Sequence, residues 1–143
     1  MFQQFHIGVK GVIVKNSKVL LLKRKSIYSK STYFWDMAGG RIDQKGSLLK
    51  TLKREVREEL GVNLKRIKKL FKVAVDKEYV EFVNQTYLLL IYFLIEPDNF
   101  KFKLSKEHKE ARWVGKEDIK KLPKNVFLPT HTKEIILKAS TFK

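Results

Sequence analysis

The segment Ser47 to Gly61 constrains this 143-residue chain most, because a helix accounts for every feature of its pattern. Leu49, Leu52, Val56 and Leu60 recur at three- and four-residue spacing, so at about 100° per residue they share one apolar stripe. Ser47 can cap the start through its side-chain oxygen, and Gly61 can end the helix. The same rotation gathers Glu55, Glu58 and Glu59, at i, i+3 and i+4, on a second face beside that stripe. Like charges so spaced cost about 0.2–0.5 kcal/mol per pair. Glu58 and Glu59 also lie near the helix C-terminus, the unfavourable end of the dipole for anions. Arg54 and Arg57 offset part of this; a divalent cation, which takes oxygen ligands and favours ionised carboxylates, would offset more. Taken alone, three glutamates on a helix are better explained by a solvated charged face.

The flanks of this helix are rich in β-branched and aromatic residues. Val9 to Leu22, broken by Lys15-Asn16-Ser17, predicts a hairpin. Tyr33 to Met37 predicts a short strand ended by Gly39-Gly40. Leu70 to Ile95 predicts a second strand pair turning at Asp76-Lys77-Glu78, with Glu81 to Ile95 crossing the sheet centre. A short strand over Ala111 to Val114 and short helices over Lys116 to Leu122 and Thr132 to Ala139 complete the order. Strands, helix, strands, helix predicts an α+β fold, a mixed sheet flanked by helices in an α/β/α sandwich, rather than regular βαβ winding.

The length fits a single domain over residues 1–143, able to bury about 68–70% of its unfolded surface and to hold a cleft. The chain has no cysteine, which excludes disulfides and thiolate metal sites; carboxylates, histidines and carbonyls remain, and they suit hard cations such as Mg²⁺ or Mn²⁺. The net charge of +16 attracts polyanions, although the basic residues are spread along the chain, as general solubilisation by lysine would have them. The longest apolar run, Tyr87 to Ile95, has nine residues where a membrane helix needs about twenty. His6 and Lys10 interrupt Met1 to Val14, which does not read as a signal peptide. The expectation is a soluble cytoplasmic protein with no membrane partner.

Around the helix the sequence becomes specific. Gly40 is followed, after thirteen residues, by Arg54-Glu55-Val56-Arg57-Glu58-Glu59-Leu60-Gly61-Val62. This resembles the Nudix box, G-x5-E-x7-R-E-U-x-E-E-x-G-U with U a bulky apolar residue. Gly40, Arg54, Glu55, Val56, Glu58, Glu59, Gly61 and Val62 match at the correct spacing. Phe34 to Gly40 is similar to the strand entering the box. Leu104 to His108 followed by Ala111 to Val114 is similar to the family's late loop and strand. One position departs: Gly46 stands where the first box glutamate belongs. That glutamate braces the loop and pairs with the box arginine, so Arg54 has one partner fewer; Asp43 is a candidate replacement. The helix glutamates are intact, which implies reduced or altered activity rather than inactivity.

The resemblance implies hydrolysis of a nucleoside diphosphate linked to another group, with a divalent cation to neutralise and orient the polyanion and acidify a water. It implies Mg²⁺, with Mn²⁺ a substitute, held by Glu55, Glu58, Glu59 and the backbone carbonyl of Gly39. Glu55 and Glu58 are both candidates for general base, and Arg54 would orient the glutamates. Glu107 or Glu110 on the late loop could add a base or ligand, against the reading of a plain surface acid. Arg24 and Arg41 could hold phosphates. Phe34, Tyr33 or Trp35 could stack on a base, but alternation places at least one in the core, and Trp35 is the choice. His108 beside Glu107 is read as structural before catalytic, and Trp113 as a core anchor. The substrate class covers oxidised or ordinary nucleoside triphosphates, ADP-ribose, dinucleoside polyphosphates and capped RNA ends. The competing reading is a weakly catalytic or non-catalytic nucleotide- or RNA-binding module, for which the charge speaks but no RNA-binding motif does.

Overall fold

The computed structural model describes residues 4–25, 33–42, 46–76, 86–123 and 126–142. Strands β1 (Phe5–Val12), β2 (Val14–Lys15), β3 (Lys18–Lys25), β4 (Tyr33–Asp36) and β5 (Gly39–Arg41) precede helix α1 (Leu48–Leu60). Strands β6 (Leu64–Asp76), β7 (Tyr87–Pro97) and β8 (His108–Val114), a 3-10 helix (Lys116–Lys121), β9 (Val126–Phe127) and helix α2 (Thr130–Ala139) follow. They form two mixed sheets. One has the order β5-β1-β7-β6; the other runs β2-β3-β4-β9, with β8 on the free side of β3.

The expected hairpin is reassigned by this topology. Lys15-Asn16-Ser17 does turn, with positive φ at Asn16 and Ser17, but it joins only β2 to β3. β1 lies in the other sheet, parallel to β7 and antiparallel to β5. The chain changes sheet near Ile13, whose carbonyl accepts from Leu20 N. The glycines likewise do more than end a strand, since Gly39 and Gly40 form β5 and pair with Lys10 and Val9. β7 does run through the interior of its sheet, between β1 and an antiparallel β6 that starts earlier than expected, at Leu64. The turn assigned to Asp76-Lys77-Glu78, the start of the run from Glu81, and Asp43 involve positions outside the described residues.

Two cores follow from strand alternation. Val12, Leu21, Trp35, Leu90 and Tyr92 pack with Ile135 and Ile136 of α2. Val9, Ile13, Leu20, Leu22 and Ile95 pack with Leu52, Val56 and Leu60 of α1. Each fully buried α1 side chain stabilises the packing by about 1.5–3 kcal/mol. The stripe is turned relative to expectation: Leu49 is 50% exposed, and Leu48 packs inward instead. The buried arc thus rotates toward the carboxylate face, and it takes in Thr51 and Glu59. Ser47 caps α1 by accepting from Lys50 N, and Gly61 closes it with a left-handed φ of 68°. Trp35 is fully buried, whereas Trp113 is only partly so, at the edge of the α1 core beside Phe100 and Phe102. Among the described residues no helix is long and apolar enough to cross a membrane.

Candidate active site

A cleft of about 880 Å³ opens where α1, the β4–β5 turn and the inner parts of β1 and β7 meet. Glu55, Glu58 and Glu59 all line it, together with Gly39 and Gly40. The helix sets three environments for the three carboxylates. Glu58 is exposed, Glu55 half-buried, and Glu59 only 4% exposed.

Glu55 lies against the Gly40 backbone so closely that a Cβ on Gly40 would meet its Cδ and Oε1 at 3.0 Å. Arg54 reaches the same carboxylate, with its guanidinium 3.5 Å from Oε1. Gly39 has even less room, since a Cβ there would come within 2.0 Å of the Val9 carbonyl. The two glycines of the motif therefore let one strand pass close to β1 and let one carboxylate rest on the turn.

Glu59 points inward. The Gly39 amide donates to its Oε1 over 3.4 Å, and Oε2 lies 3.3 Å from His108 Nε2. That second contact lacks hydrogen-bond alignment, so both buried atoms have no hydrogen-bond partner among the described residues. Burial, reinforced by the Glu55 carboxyl group, pushes the Glu59 pKa up to about 8 against the opposing pull of Lys10. His108 is held below its ordinary value, first by burial and then by Arg24. Its Nδ1 lies 3.2 Å from Ser105 Oγ.

The donor set suits a hard divalent cation. It offers carboxylate oxygens, a carbonyl in a turn free of side chains, and a buried carboxyl oxygen without a hydrogen-bond partner. Among the described residues no three acidic or histidine side chains converge into a ready cluster of ligands; Glu55 and Glu59 lie against each other, while Glu58 stays exposed. A cation would favour the ionised forms of all three and draw them together.

The other candidates separate cleanly. Arg24, Arg41, Phe34 and Glu107 line the cleft. Arg24 lies over the Phe34 ring at 5.5 Å and 3.6 Å from Asp36 Oδ2, while Arg41 contacts His6 Nδ1 at 3.1 Å. Phe34 is buried, so it offers the cleft only part of its ring. Glu110 is drawn elsewhere, paired with Arg112 at 2.8 Å and near Lys23. Tyr33 faces away with Lys23 over its ring, and Arg112 stacks over Trp35.

Sequence reasoning missed Lys10, Asp36, Asp76 and His131, all of which line the cleft. Lys10 and Asp36 form a buried ion pair of 2.7 Å. Burial raises the Asp36 pKa, but Lys10, Arg24 and the Met37 amide together hold it below its usual value. A lysine in one apolar strand and an aspartate in an aromatic one were the available signal. Asp76 and His131 sit at the end of the cleft floored by Leu88 and Leu90. Burial lowers the His131 pKa, partly countered by Asp76.

A sequence model of the NUDIX domain matches residues 4–133. An 8-oxo-dGTP diphosphatase of Buchnera aphidicola is 30% identical over 112 residues, 77% of each chain. The asymmetrical bis(5'-nucleosyl)-tetraphosphatase of mouse is 30% identical over 92 residues; the match spans 63% of this chain and 61% of the mouse enzyme. The crystal structure of a MutT protein from Methanosarcina mazei superimposes with a TM-score of 0.75 at 23% identity, covering 97% of this chain and 95% of that one. With the glutamate helix, the paired glycines and the two-sheet frame in place, the chain belongs to the NUDIX family of hydrolases.

Proposed function

We propose that this Nudix hydrolase cleaves a phosphoanhydride bond in a nucleoside diphosphate linked to another group, with nucleoside triphosphates as the leading substrates and Mg²⁺ as the cation. The carrying observation is the composition of one cleft. The same cleft is lined by three carboxylates and a bare glycine turn, by Arg24 and Arg41, and by the apolar Leu88 and Leu90 with Asp76 and His131. A phosphate chain fits between the acids and the arginines, and a nucleoside fits the floor. The names of the Buchnera and mouse relatives, an 8-oxo-dGTP diphosphatase and an asymmetrical bis(5'-nucleosyl)-tetraphosphatase, support this class.

In this reading Glu55, Glu58, Glu59 and the Gly39 carbonyl hold the cation, which supplies charge neutralisation and a more acidic water. Arg54 fixes Glu55, which already rests on Gly40. Glu58, exposed at the cleft wall, is the general base, since Glu55 is held against Gly40 and beside Arg54. Arg24 and Arg41 grip phosphate oxygens, and Phe34 contributes apolar contact. Glu107 stands across the cleft as an accessory acid.

The test is a panel of nucleoside triphosphates, 8-oxo-dGTP, ADP-ribose, dinucleoside polyphosphates and capped RNA, incubated with Mg²⁺ and Mn²⁺ and resolved by chromatography for the nucleotide products, with phosphate and pyrophosphate read for the triphosphates. Turnover of one class that depends on the cation supports the reading. An absence of turnover on every member would sink it.

A further inference from the structure

We propose that the buried Lys10–Asp36 ion pair is a positioning device that holds the Gly39–Gly40 turn against the glutamates, in a chain whose position 46 is a glycine and offers no brace; the proposal rests on the Nudix reading of those glutamates. Lys10 and Asp36 are 26 residues apart and belong to different sheets. Both are almost fully buried, at 6% and 7% exposure, and their contact ties the sheets together at the cleft.

The pair acts on the turn at several points. Asp36 Oδ1 accepts from the Met37 amide over 2.7 Å, and Lys10 Nζ approaches the Met37 carbonyl at 3.5 Å. The next residue accepts through its carbonyl, Ala38 O, from the Gly11 amide over 2.8 Å. Gly39 then lies over the Lys10 side chain, where a Cβ would meet Cδ at 2.9 Å. From there the turn touches two of the three glutamates, through the Gly39 amide to Glu59 and the Gly40 backbone to Glu55. A displacement of the turn is therefore passed on to the cation ligands.

Stability is a poor reason for such a pair. Desolvating two charges offsets most of their attraction, and an apolar pair of similar volume serves packing equally well. What an apolar pair cannot do is accept from the Met37 amide and fix the turn's direction. Arg24 sharpens the point: it lies 3.6 Å from the same Asp36 oxygen, so without Lys10 the carboxylate is drawn toward Arg24.

The test compares Lys10→Met, Lys10→Arg and the double variant Lys10→Met/Asp36→Leu. Three quantities are read: amide hydrogen exchange at Gly11 and Gly39 in metal-free protein, Mn²⁺ affinity by electron paramagnetic resonance, and kcat against KM for a nucleoside triphosphate. Lys10→Met is expected to speed exchange at both glycines relative to Leu21, to weaken Mn²⁺ binding by about 10–100-fold, and to lower kcat with KM little changed. Lys10→Arg should recover most of the loss. The double variant should regain resistance to urea without regaining Mn²⁺ affinity; it also carries the same readouts if Lys10→Met does not fold. Unchanged exchange at Gly11 and Gly39, or a double variant that binds Mn²⁺ as the wild type does, overturns the proposal. Exchange needs no cation. A failure of the metal reading, seen as Mn²⁺ binding unmoved by Glu58→Gln, is thus told apart from a failure of the Lys10 proposal.

Discussion

A methyl group at Gly40 would sit 3.0 Å from Cδ and Oε1 of Glu55, inside the 3.4 Å at which such contacts become ordinary. The obstacle is the far end of a flexible side chain, so Glu55 can retreat by about 0.4 Å at a stability cost of about 1 kcal/mol or less. Catalysis is less tolerant: a 1 Å misplacement costs on the order of 10²-fold, and scaling that penalty gives a loss in kcat of about 5–10-fold. Gly39→Ala has the opposite profile. Its Cβ would lie 2.0 Å from the Val9 carbonyl and 2.8 Å from Lys10 Cα, both backbone atoms that cannot give way without parting β1 from β5. The expected cost is about 3 kcal/mol or more in stability. Urea denaturation and initial rates of Mg²⁺-dependent nucleotide hydrolysis, run on both variants, resolve the two profiles. A Gly40→Ala protein with wild-type kcat would show that Glu55 is not held against the turn during turnover. A Gly39→Ala protein of normal stability would refute the close approach of the two strands.

Glu58→Gln should lower kcat on the order of 10²–10⁴-fold while leaving the urea midpoint nearly unchanged, since the side chain is exposed; an unchanged rate removes the proposed base. Glu59, with an ordinary pKa of 4.5 raised to about 8, keeps a proton in the folded metal-free protein that the unfolded chain releases. Its contribution to stability is therefore fully present below about pH 4.5 and is lost as pH rises through about 8; Glu59→Gln should flatten that slope in urea titrations across this window. Mn²⁺ binding at pH 7 should displace about one proton, measured by calorimetry in buffers of different ionisation enthalpy. Gly61→Ala should cost about 1 kcal/mol or more in urea unfolding, because φ is 68° and a Cβ would meet the Lys103 carbonyl at 3.1 Å. Binding of a single-stranded RNA oligomer should be weak at moderate salt; tight binding with a log–log slope of about −0.7 per phosphate contact would revive the RNA-binding reading.

The legible parts of this protein are those encoded within one or two turns of chain. Ser47, the three glutamates and Gly61 were readable because cap, carboxylate face and stop are local consequences of helix geometry. The same geometry misled at Leu49. Periodicity defines a face, but which part of it is buried depends on how the helix lies on β1 and β5, and here the tilt brings in Leu48 and Glu59. The β1 assignment failed for a related reason. A turn at Lys15-Asn16-Ser17 invites the strand before it to pair with the strand after it, yet β1 gains a longer partner in β7, with eight residues in register from Phe5 to Val12.

That parallel pairing is what makes the site possible. With β1 in the sheet of β7, alternate β1 residues face the other sheet, which carries Asp36. In a plain β1–β3 hairpin Lys10 would be a charge in an apolar strand with no reason to be there. Placed between sheets, it can meet a carboxylate 26 residues away and lie beneath a glycine whose amide touches Glu59. The glutamates name the chemistry, but they are carried by a helix whose neighbours could hold it in several ways. The buried charge from the first strand narrows them, because an arrangement that buries Lys10 away from Asp36 would leave it unpaired and carrying its desolvation penalty.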